Sequence, residues 1–150
     1  MSKNPVLILV EDNPTYQQRM LDYLSELFPD CEVKIMSNGI EATNFLLSPI
    51  NQYDLVLLDG NLGKGTSLFA SAFNGPDVAE AMVEKGINVT IVLCTNEAAM
   101  LMRFDEVFGK RLPEIEKPYR KTNVQVILSP LIAKILEKNE ELSPSLGLNP

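Results

Sequence analysis

Hydrophobic positions along this chain gather into short continuous runs separated by polar turn signals. Val6-Leu7-Ile8-Leu9-Val10 is the clearest run, rich in branched side chains. Such a run suits a strand buried on both faces, as in a parallel sheet. It stops at Glu11-Asp12-Asn13-Pro14, where Asn13 can cap a helix and Pro14 can fill its first turn. Met20, Leu24, Leu27 and Phe28 then recur at helical spacing. Glu32 to Met36 alternates, as a half-exposed strand does. Ser37-Asn38-Gly39 is turn chemistry, and Ile40 to Leu47 predicts a short helix. Asp54 to Leu58 is again an apolar strand pattern, ending at Asp59.

The next stretch is irregular. Gly63-Lys64-Gly65 reads as loop, whereas Leu68 to Phe73 is too apolar for a solvated one. Val78, Ala81 and Met82 mark a helix from Pro76 to Lys85, with Gly86 as its stop. Val89 to Cys94 predicts another buried strand ending at Thr95, and Glu97 to Phe104 a helix. Glu114 to Glu116 predicts a short strand before Lys117-Pro118, and the last helix falls within Thr122 to Lys138. Pro130 lies inside it. Either that helix kinks there, or it begins there with Ser129 as its cap.

Strand and helix alternate about five times, which predicts a doubly wound α/β domain. Its sheet would be five-stranded and parallel, with helices on both faces in three layers. The domain would span residues 1–142, with an extended loop over 60–75 and a flexible tail or linker at 143–150. Ligands of such sheets bind outside the carboxyl ends of the strands.

Those ends carry Glu11 and Asp12, then Asp59, Thr95 and Lys117. Taken singly, each has an ordinary use: acids cap helices and form turns, threonine does the same, and lysines sit on surfaces. Together they describe a reaction centre. Three carboxylates in one crevice repel each other and call for a cation. Oxygen ligands without His or Cys point to Mg²⁺ or Mn²⁺. Lys117 and the Thr95 hydroxyl suit an anion with several oxygens. That combination is the chemistry of phosphoryl transfer onto a carboxylate.

Composition narrows the choice. The chain has no histidine, so histidine triads, histidine metal sites and phosphohistidine carriage are excluded. The net charge of −7 argues against direct nucleic-acid binding and against docking on anionic membranes. Cys31 and Cys94 lack metal-ligand spacing, and a reducing cytoplasm is the simplest setting. Cys94 is expected to pack as a small core hydrophobe.

The ordered set VLILVED (Val6–Asp12), DLVLLD (Asp54–Asp59), IVLCT (Ile91–Thr95) and KPY (Lys117–Tyr119) resembles the receiver domains of two-component response regulators. The resemblance covers residues 5 to 138 and implies a flavodoxin-like fold. It implies that Asp59 accepts the phosphoryl group. Glu11, Asp12 and Asp59 would hold Mg²⁺ together with the Asn61 backbone carbonyl. Thr95 and Lys117 would contact the phosphoryl oxygens, with the Lys117–Pro118 bond cis. A histidine kinase or phosphotransfer protein would be the donor, and a downstream protein would read the result. The docking surface would lie on the fourth and fifth helices, unless the chain is a module of a longer protein or a relay intermediate. Asn61 and Glu97 hold the positions that flank the path of hydrolytic water, which implies autodephosphorylation.

Some positions differ from that pattern. Glu11 replaces the commoner Asp, Asn96 replaces a small residue, and Glu114 stands where a switch aromatic is usual. The stretch from Asp59 to Gly75 is about eight residues longer than usual. These differences sustain a second expectation, a pseudo-receiver that binds partners without phosphorylation. A third, a phosphatase with an aspartyl intermediate, lacks the second acid it needs, because position 61 is Asn.

Overall fold

The computed structural model describes residues 3–62 and 73–142. The elements are β1 (Val6–Val10), α1 (Pro14–Leu27), β2 (Glu32–Met36), α2 (Gly39–Leu47) and β3 (Leu55–Leu58). They continue with α3 (Gly75–Glu84), β4 (Thr90–Leu93), α4 (Ala98–Phe108) and α5 (Lys121–Leu142). The strands are parallel in the order β2-β1-β3-β4. The apolar segment Leu68 to Phe73 falls outside the described residues except for Phe73, as does the tail at 143–150.

Alternation along the strands divides the core in two. Val6, Ile8, Val10, Val56, Leu58, Ile91 and Leu93 pack with Ala42, Leu46, Val78, Met82 and Phe104 of α2, α3 and α4. Leu7, Leu9, Leu55, Leu57, Val92 and Cys94 face the other way, onto Met20 and Leu24 of α1 and Val124, Leu128 and Ile132 of α5. Continuous apolar runs therefore mean burial on both faces, as in β1 and β3, whereas β2 carries Glu32 and Lys34 and is only partly buried. The three layers follow from that.

The expected fifth strand is not formed as a strand. Glu114 makes one isolated parallel bridge to Leu93. The Leu93 amide donates to the Pro113 carbonyl at 2.9 Å, and the Ile115 amide donates to the Leu93 carbonyl at 2.8 Å. Pro113 and Pro118 bracket the segment, and neither has an N–H to extend a ladder. Among the described residues the sheet thus has four strands and a single bridge on its β4 edge. That bridge still delivers the chain to Lys117.

Two helices run longer than their patterns suggest. α4 continues to Phe108 and ends where Gly109 takes φ 71°, a left-handed stop that glycine allows. α5 runs unbroken through Pro130. Val124, Leu128, Ile132 and Ile135 form its buried face, while Pro130 faces solvent. Water can satisfy the carbonyl that Pro130 leaves without a donor. No helix among the described residues is long and apolar enough to cross a membrane.

Pro130→Ala restores a donor in the helix interior, so it should raise the free energy of unfolding by about 1–3 kcal/mol, less the unfolded-state entropy that proline removes. Urea titration measures this. A loss of stability would mean that α5 is not continuous at this position.

Candidate functional site

The parallel register brings the strand ends into one row. Val10 pairs with Met36 on one side and Leu58 on the other, and Leu58 pairs with Leu93. The ladder extends one residue further. The amides of Glu11, Asp59 and Cys94 donate to the carbonyls of Met36, Val10 and Leu58 at 3.0, 3.0 and 2.9 Å. Glu11, Asp59 and Thr95 therefore emerge side by side, at the point where the order reverses between β2 and β3 around β1. Crevices of doubly wound sheets form at such points.

Glu11 is wholly buried and Asp59 is 4 % exposed. Asp12, half-buried, completes a group whose carboxylate oxygens lie within 4.8 Å of one another. The local turn is held by Asn13, whose side chain accepts from the amides of Thr15 and Tyr16 at 2.9 and 3.1 Å. The Asn13 amide in turn donates to Glu11 Oε2 at 3.2 Å.

Lys117 enters from beyond the Glu114 bridge. Its Nζ lies 2.8 Å from Glu11 Oε1 and 3.0 Å from Asp59 Oδ2. The Lys117–Pro118 peptide is cis. Asn96, which stands in place of a small residue, donates from Nδ2 to the Lys117 carbonyl at 3.0 Å and so ties the two loops together. Buried Thr95 accepts on Oγ1 from the Glu97 amide at 3.2 Å. It adjoins Gly60, where an added Cβ would come within 3.4 Å of Thr95 Oγ1. Asn61 is half-buried directly after Gly60. Glu114 pairs with Arg111 at 3.4 Å, so no aromatic occupies that position.

Residues not singled out from the sequence complete the site. Buried Tyr119 donates its hydroxyl to Glu11 Oε1 at 2.9 Å. The ring of Tyr16 lies 4.6 Å from Lys117 Nζ and packs edge-on against Tyr119. Gly75 abuts the Asp59 carbonyl, and any side chain there would overlap it. Its amide donates to the Gly60 carbonyl at 2.8 Å, while the Leu62 amide donates to Asn74 Oδ1 at 3.0 Å. The first turn of α3 thereby clamps the chain just after Asp59. The signal for this was the capping box of Asn74 with Asp77, which starts the helix earlier than Pro76.

Burial pushes the Asp59 carboxyl up from 3.8 to about 8; the Glu11 charge adds to the rise, and Lys117 opposes it. Burial alone would lower the Lys117 ammonium, but attraction to Asp59 and Glu11 outweighs it and the net shift is upward. Burial also raises the Cys94 thiol, which leaves it a packed core group.

A carboxyl raised in the folded state binds a proton there that the unfolded chain has released. Its contribution to stability is full below about pH 4 and is lost as pH rises towards about 8. Asp59→Asn cannot titrate. In chelator at about pH 8 it should melt at least roughly 3 °C above the parent, with the gap closing near pH 4. Thermal melts across that range check this. An unchanged gap would mean that Asp59 is not held in a crowded acidic cluster.

No protein-family model matches the sequence, and no curated protein matches it. Solved structures do match in three dimensions. The signal receiver domain of a Luxo repressor protein from Vibrio parahaemolyticus is 15 % identical, with a TM-score of 0.70 over 94 % of this chain and 98 % of that one. A two-component response regulator from Clostridium difficile is 17 % identical, with a TM-score of 0.67 over 88 % and 98 %. The receiver domain of a sensor histidine kinase from Pseudomonas aeruginosa, solved with a magnesium ion coordinated in its active site cleft, is 24 % identical, with a TM-score of 0.65 over 87 % and 99 %. This chain has the fold of response regulator receiver domains.

Proposed function

We propose that this protein is a phosphoacceptor signalling switch in which Asp59 takes a phosphoryl group from a phosphohistidine. The observation that carries this reading is the contact of Lys117 Nζ with Asp59 Oδ2 at 3.0 Å, inside a cluster of three carboxylates. A buried cluster with more acids than cations fits a hard divalent metal held by oxygen donors. Glu11, Asp12 and Asp59 would hold Mg²⁺, with the Asn61 carbonyl as a further ligand. The Pseudomonas receiver domain supports that choice by its bound magnesium. When bound, the metal would neutralise negative charge on the transferring group and on the carboxylates.

The remaining work falls to the chain's own residues. In the transfer, the phosphorus–nitrogen bond to the donor imidazole breaks and a phosphorus–oxygen bond to Asp59 forms. The nitrogen keeps the bonding electrons. Lys117 already sits against the acceptor oxygen, so it can pair with the incoming phosphoryl oxygens without a long approach. The Thr95 hydroxyl, beside Gly60, is available to donate to another of those oxygens. The donor would be a histidine kinase or phosphotransfer protein in the cytoplasm, and the readout would be docking of a partner protein on the changed surface.

Acetyl phosphate with Mg²⁺ should add one phosphoryl group to the intact protein by mass, and Asp59→Asn should abolish it. No gain under these conditions, and none with beryllofluoride, would favour a binding module that is never phosphorylated. Glu114, engaged with Arg111 in place of a switch aromatic, is the observation behind that second reading.

Asn61 and Glu97 would flank the path of attacking water, with Glu97 at the exposed start of α4. The phosphoryl group should then last seconds to minutes, an order-of-magnitude expectation. A radiolabel chase that shows no loss over hours would contradict autodephosphorylation.

A further inference from the structure

Glu11 is surrounded by protein donors on both oxygens. Oε1 accepts from Lys117 Nζ at 2.8 Å and from the Tyr119 hydroxyl at 2.9 Å. Oε2 accepts from the Asn13 amide at 3.2 Å. An ionised carboxylate offers about four acceptor sites, so roughly one remains for a cation.

Tyr119 is well placed to hold this arrangement. It is buried among Leu9, Cys94 and Ile115 in the α1–α5 layer of the core. Tyr16 packs against its ring edge-on, with centroids 5.4 Å apart. The Tyr23 hydroxyl donates to its backbone carbonyl at 3.4 Å. Its hydroxyl therefore has little freedom to leave Glu11.

We infer that Tyr119 is a positioning residue, which commits Glu11 Oε1 to Lys117 and keeps that oxygen from serving as a direct ligand of the divalent cation. This rests on the metal-assisted reading of the site given above. Glu11 then acts on the reaction by aiming Lys117 at Asp59. Asp12 and Asp59 supply most of the charge that the cation meets. The extra methylene of Glu11, relative to Asp, is what lets one carboxylate reach Lys117 and Tyr119 together.

The consequence runs opposite to ordinary damage. Tyr119→Phe keeps the ring and its packing but removes one donor from Oε1. The freed lone pair becomes available to the cation, so Mg²⁺ should bind about 3- to 10-fold more tightly. The cation then shares Glu11 Oε1 with Lys117 and loosens the aim of the ammonium at Asp59, so phosphorylation by acetyl phosphate at saturating Mg²⁺ should slow by a similar factor. A structural defect would weaken both.

Calorimetric titration with MgCl₂, on the whole chain, reads the affinity. Tighter binding in Tyr119→Phe, absent when the same change is made in Glu11→Gln, supports the inference. Equal or weaker binding in Tyr119→Phe, with the parent binding normally, overturns it. An equal gain in the Glu11→Gln background also overturns it, because Tyr119 would then act by another route. If the parent itself takes up no Mg²⁺ at millimolar concentration, the metal-assisted reading fails and this inference falls with it. Should Tyr119→Phe melt early, the titration is run at a temperature where thermal melts show both proteins folded; there, tighter binding still supports the inference and equal or weaker binding still overturns it.

Discussion

Lys117 holds one positive charge between two buried carboxylates, and the arrangement of the site depends on that contact. Glu11 and Asp59 lie on adjacent strand ends and would repel each other without it. Burial makes the repulsion worse, because little water screens it. Burial first, and the Glu11 charge after it, push Asp59 upward against the opposing pull of Lys117. The site is thus left short of positive charge, and the divalent cation proposed above would supply it before an anionic phosphoryl group arrives. Tyr16 adds its ring face to the same ammonium, and Tyr119 steadies Glu11 beneath it.

Backbone constraints deliver these side chains. Parallel pairing places Glu11, Asp59 and Thr95 one step past matched residues, so their proximity costs no special folding. The single bridge between Leu93 and Glu114 replaces a whole strand, yet it suffices to bring Lys117 to the same edge. Gly75 lets α3 start against the Asp59 carbonyl, and Asn96 ties the Thr95 loop to the Lys117 loop. Asp59 is therefore fixed from several sides by short local contacts.

Much of this could be read along the chain because the strands are buried on both faces. Val6–Val10 and Glu32–Met36 have the bounds their patterns suggest, and the acidic and lysine positions come together at one edge as their places in the order require. What escaped was of a different kind. Tyr119 and Glu11 are 108 positions apart, and a contact of that range leaves no periodic trace. Gly75 matters through the backbone of another segment, which hydropathy does not register. The short fifth element was masked because Ile115 is as buried as a strand residue, while the loss of ladder donors at Pro113 and Pro118 decides its pairing. Pro130 was ambiguous for the same reason. Its cost depends on which face of α5 it occupies, and that is settled by packing.

In the proposed reaction Asp59, Lys117 and Thr95 meet around one phosphoryl group. A crystal structure of the protein with beryllofluoride and Mg²⁺ tests it most directly. The account predicts the fluoride adduct on an Asp59 oxygen, with Lys117 Nζ and Thr95 Oγ1 both within hydrogen-bond reach of its fluorines. An adduct on another residue, or an Asp59 adduct from which Lys117 has turned away, would contradict it.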